Sequence, residues 1–134
     1  MDGDVGEDGL TKLGVARALC REYAADERAF LGFVAESMQR ALGADVEISY
    51  GGGFLKKKTI NGVTLISGDN RYTLEDPGHG PLHAKITHVV RGIALKTESV
   101  DVETWVELVS EIMERKTAQH SAARQALQKM LGLS

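Results

Sequence analysis

Cysteine is nearly absent from this chain. Cys20 is the only one among 134 residues, so no internal disulfide can form, and a reducing cytoplasm is the expected setting. Aromatic residues make up only 5%. The core must therefore rest on Leu, Val, Ile, Ala and Met, with Phe30, Phe33, Tyr72 and Trp105 as its few large pieces. No apolar run approaches the roughly 20 residues that a membrane-spanning helix needs. The opening residues are acidic, the reverse of a signal peptide's basic start. Net charge is also small, at −3. The four acids Asp2, Asp4, Glu7 and Asp8 outweigh all of it, and no base stands among residues 1–9. The rest of the chain is close to neutral, which argues against a nucleic-acid binder. The expectation is a disordered acidic tail over residues 1–9 and a single domain over residues 10–134.

Within that domain, residues 10–42 read as helix. Leu13, Ala16, Cys20 and Tyr23 recur three and four apart, as do Phe30, Phe33, Val34, Met38, Ala41 and Leu42. Asp26 is placed to cap a second helix, with Gly43 to end it. From Ala44 to Glu98 the pattern changes to short strands: Val46 to Tyr50, Phe54 to Ile60, Val63 to Ser67, Arg71 to Glu75, Leu82 to Val90 and Ile93 to Thr97. Asn61-Gly62 is the strongest hairpin signal, since both central residues of a type I′ turn need positive φ. The loop Asp76-Pro77-Gly78-His79-Gly80-Pro81 holds both prolines of the chain. Strands joined in series by short links imply an antiparallel meander of five or six strands. Val63, Leu65 and Ser67 do not alternate cleanly with Thr64 and Ile66, so a second cover on part of the sheet is expected.

A last helix opens at Asp101 as N-cap, with Val100 and Trp105 in staple positions. Trp105, Leu108, Val109, Ile112 and Met113 keep an i, i+3, i+4, i+7, i+8 stripe. The stripe then weakens through Lys116, Gln119 and His120 before Ala123, Leu127, Met130 and Leu131 resume it. A single helix of that length is about 45 Å long, beyond the breadth of a domain this size. Either it breaks near Thr117 to Ser121, or its last turns leave the body for another surface, the first helix or a second copy of the chain. The class is α+β, a meander bracketed by helices on one face.

Chemistry has few footholds. Gly51-Gly52-Gly53 precedes Lys56, Lys57 and Lys58. Gly52 and Gly53 with these lysines are candidate ligands for an anion. Glycine-rich phosphate loops feed a helix N-terminus, however, and this one feeds a strand. The plainer reading is a hairpin loop and an edge strand guarded by lysines. Phe54 and Leu55 beside the lysines also allow peripheral membrane contact, at only about 1 kcal/mol per basic residue. Asp76, His79 and His83 are the candidates for an unmarked enzyme site. His79 and His83 are four apart, but Pro81 and the glycines break any helix that would align them, and His83 and His88 fall on opposite faces of a strand. Cys20 reads as a buried, inert member of the helical stripe. No Ser elbow, HExxH, GxGxxG or Walker pattern occurs, and no cofactor or metal is implied.

The order helix, antiparallel strands, helix is similar to that of small chaperone-like and adaptor folds, bacterial secretion chaperones among them. The long mid-chain helix usual in the latter is missing, because Arg71 to Thr97 reads as strands. The functional expectation is a non-enzymatic interaction or adaptor protein that self-associates or binds a protein partner, with Ala123, Leu127, Met130 and Leu131 as contact residues. Binding of an anionic ligand at Gly51 to Lys58 and a small enzyme at the Asp76 loop are the alternatives.

Overall fold

A computed structural model describes residues 18, 20, 21, 26–51 and 59–132, the side chains at 121–124 aside. The acidic segment 1–9, most of the first predicted helix and the Gly52-to-Lys58 segment lie outside the described residues.

Helix α1 (Glu27–Leu42) starts where Asp26 Oδ1 accepts the Ala29 N–H at 3.0 Å, the capping bond that the sequence predicts. Its face of Phe30, Leu31, Val34, Ala35, Met38 and Leu42 is buried. Phe33, expected in the core, is 44% exposed on another side of the helix. A 3₁₀ turn (Gly43–Asp45) then leads into the sheet.

Five strands follow in chain order, β1 (Val46–Gly51), β2 (Thr59–Ser67), β3 (Asn70–Glu75), β4 (His83–Val90) and β5 (Ile93–Val100), and each pairs antiparallel with the one before. The register sorts their side chains into two faces. Ile48, Val63, Leu74, Ala84 and Val100 form one row across the sheet, and Val46, Leu65, Tyr72, Ile86 and Glu98 form the next. Both rows face the helices, and their apolar members other than Ile86 join one core with α1. The other face presents Glu47, Thr64, Thr73, Lys85 and Ser99 in one row. Thr64 and Thr73 share a 3.0 Å hydroxyl contact there. Ile66 on that face is half-buried.

The sequence misplaces one turn. Asn61-Gly62 is not a hairpin but the middle of β2, and neither residue has positive φ. Ser49 pairs with Gly62 and Tyr50 with Ile60, so Asn61 is the extra residue of a β-bulge. Gly62 serves space instead of dihedral freedom, since a Cβ there would meet Ser49 Oγ at 2.7 Å and the hydroxyl would have to turn away. The residues on either side of Asn61-Gly62 therefore belong to one strand, and the sheet has five strands among the described residues. The genuine two-residue turns are Gly68-Asp69, with Gly68 at φ 60°, and Arg91-Gly92, with φ 54° and 80°.

Helix α2 (Val102–Met130) is unbroken over 29 residues, about 43 Å at 1.5 Å per residue. The break considered near Thr117 to Ser121 does not occur. Thr and Ser cost only tenths of a kcal/mol each in a helix, and no glycine or proline stands between Val102 and Leu131. Gly132, at φ 71°, ends it, its N–H bonding to Lys129 O at 3.2 Å. Asp101 stands at the N-cap position, but its side chain makes no capping bond. Trp105, Val106, Val109 and Ile112 are buried against the sheet and α1. Trp105 is fully buried, and its Nε1–H finds no acceptor among the described residues.

Candidate functional site

Among the described residues, the contact between α2 and the body ends within a turn or so of Lys116. That residue stands on the extension of the apolar stripe, half-buried, and its Nζ reaches Asp45 Oδ2 at 3.2 Å. Arg115, Lys116 and Gln119 line a shallow depression beside Ser67. Beyond it the helix runs on for about 20 Å, and every side chain described there is exposed. Leu127 is 52%, Met130 78% and Leu131 60% exposed. The Ala123 side chain lies outside those described. A free peptide of this length is marginal as a helix in water. The arm is helical because it extends a nucleus already fixed on the sheet, and because Ala118, Ala122, Ala123, Gln125, Ala126, Leu127 and Gln128 are mostly strong helix formers. Glu114 is the last acid in the chain, whereas Arg115, Lys116, Arg124 and Lys129 follow it or lie beyond it. The arm therefore offers a broken apolar stripe on a basic background.

The second open surface is strand β5. Every residue of it except Val100 is exposed, including Ile93 at 63% and Leu95 at 61%. Among the described residues the helices pack over β1 to β4 and, Val100 aside, leave it uncovered. Sequence reasoning treated β5 only as half of a hairpin and missed its exposure. The signal was present in Lys96 and Glu98, two charges on the face where alternation would put core residues.

Of the residues singled out from sequence, Gly52, Gly53, Lys56, Lys57 and Lys58 lie outside the described residues. Asp76, His79 and His83 are placed as follows. Asp76 Oδ1 accepts the Gly78 N–H at 2.8 Å in a local turn, and its Oδ2 lies 3.6 Å from Arg28 Nε. His79 sits exposed in the same loop, while His83 opens β4, paired across the sheet with Glu75. His88, on the other face, meets Asn70 Oδ1 at 3.2 Å. Among the described residues no three His, Cys, Asp or Glu side chains are grouped so as to hold a metal ion. No described helix is long and apolar enough to cross a membrane.

Cys20 is half-buried and borders an open cleft of about 450 Å³ that Glu27, Phe30, Leu82, Asp101 and Glu103 also line. Burial first, and the negative charge of Glu103 second, push its thiol pKa up. A catalytic thiol needs the opposite shift. Glu27 has a structural task in the same cleft, its Oε2 accepting the Leu82 N–H at 2.7 Å. No known family, curated protein or solved structure matches the chain.

Proposed function

We propose that this chain is a non-enzymatic protein-interaction or adaptor module that works as a homodimer and engages a partner protein with the arm of α2. The observation that carries this reading is the arm itself. The helix continues for about 20 Å past its last contact with the described body and exposes Leu127, Met130 and Leu131. An exposed apolar stripe on a regular helix is a recurrent means of docking into a partner's groove. The basic residues around it favour a partner with an acidic rim.

Two measurements test the reading. Capture with the intact chain is compared with capture by the Leu127→Asp/Met130→Asp variant, after circular dichroism has verified that both are folded. Partners retained by the parent and lost by the variant are the expected result, and an identical set of captured proteins removes the arm from the function. Light scattering across concentrations tests the dimer, and a monomeric mass throughout removes that part.

A further inference from the structure

We infer that β5 is where two copies of this chain join, antiparallel about Thr97, so that two five-stranded sheets become one continuous sheet. This rests on the homodimer proposed above and names its interface.

The strand is built for pairing and has a neighbour on only one side. It runs for eight residues, Ile93–Val100, with β4 beside it and, among the described residues, no strand beyond. Its outer edge thus carries a row of backbone donors and acceptors available to another strand. The uncovered state of β5 also provides room. Two such strands side by side separate the helical layers of the two copies by roughly 10 Å more than a fully covered sheet would.

Charge selects both the occupant and the register. A two-fold axis perpendicular to the sheet keeps the helices of both copies on one face. Opposed residues must then share a face, so one residue of β5 stands opposite itself. Centring on Lys96 sets lysine against lysine, and centring on Glu98 sets glutamate against glutamate. Centring on Thr97 puts Lys96 opposite the partner's Glu98, and Glu98 opposite the partner's Lys96. The two side chains are already close within one strand, Nζ to Oε2 at 3.6 Å, so the dimer gathers them into an alternating cluster of four charges. Lys96 and the bulge at Leu95 are features that blunt an edge against indiscriminate pairing. In the Thr97 register the lysine meets its opposite charge, and the same features become selective. The other edge, β1, carries Glu47 as its only charge, so no self-pairing there is complementary. The arm of α2 is no better suited to a second copy, because arm against arm would bring together basic residues with no acid among them.

Cysteine cross-linking in the full chain, with Cys20→Ser as background, reads the register directly. Opposed Cβ atoms in an antiparallel pair lie about 4.5–5.5 Å apart, within reach of a disulfide after small adjustment. Thr97→Cys should give a disulfide-linked dimer under mild oxidation, while Ser99→Cys, which faces the partner's Leu95, should not. Charge reversal provides an independent arm. Lys96→Glu and Glu98→Lys should each weaken dimerisation at least tenfold, and the double reversal should restore it. A dimeric mass without cross-linking at position 97, or a double reversal that fails to restore it, overturns the β5 interface and places the dimer elsewhere. A monomeric mass at every concentration overturns the interface and the proposed dimer together.

Discussion

Ser49 Oγ donates a 2.8 Å hydrogen bond to Asn61 Oδ1 across the β1–β2 pair, at the point where Asn61 bulges out of register. The bond fixes a hydroxyl where a side chain at position 62 would have to pass. Gly62→Ala should therefore destabilise the fold by about 1–3 kcal/mol, the usual cost of overpacking a tight site. Ser49→Ala removes the obstructing oxygen, so the double variant should recover most of that loss. Chemical denaturation of the four proteins in this cycle is the check, and a purely additive result would contradict the steric account.

The same bulge explains where sequence reasoning went astray. Asn-Gly between two β-rich runs has two physical uses, positive φ in a turn or the absence of a Cβ at a close approach, and residue identity alone does not separate them. Gly68 and Gly92, both with positive φ, are the first kind. Gly62 is the second, because the bulge brings Ser49 over it. The helices were more legible, since periodicity reports one face directly. Asp26, Trp105, Val109 and Ile112 hold their predicted roles. The length of α2 was legible too, but its continuity depended on the absence of a glycine or proline, which outweighs a local weakening of the stripe. The openness of β5 was legible in part, in Lys96 and Glu98 at core-side positions, while its extent depends on where α1 and α2 cross the sheet.

Arg91 holds φ at 54°, the only non-glycine residue with positive φ among those described. An ordinary side chain is strained in this conformation, whereas asparagine tolerates it. Arg91→Asn should raise stability by about 0.5–1 kcal/mol, seen as an upward shift in Tm. A drop in Tm would mean that the arginine side chain compensates for its backbone.

Trp105 is the single tryptophan of the chain and fully buried, so its fluorescence reports on the core. Trp105→Ala should cost about 3–5 kcal/mol through the cavity it leaves. Trp105→Phe should cost much less, because it also removes an indole N–H that is buried with no acceptor among the described residues. Equal losses in the two variants, measured by denaturation followed with circular dichroism, would contradict that view of the indole.

Cys20 should alkylate slowly at neutral pH, since burial and Glu103 both raise its pKa and hold it as the thiol. The folded-state pKa lies above the unfolded one, so this group's contribution to stability is complete below the unfolded pKa. It is lost as pH rises through the folded value. Glu103→Gln should shift the alkylation profile towards lower pH. A profile identical to that of the parent would remove Glu103 as a cause.

The strand order of the sheet has a kinetic consequence. Each strand meets the one made just before it, so the sheet can assemble from pairings close in sequence, a topology associated with fast folding. The slow closure is left to the contact between α1 and α2, which joins opposite ends of the described chain. Core substitutions in the β2–β3 hairpin should therefore slow folding. Those on the buried face of α2 should chiefly speed unfolding, a division that paired folding and unfolding rates for Leu65→Ala and Val109→Ala would reveal.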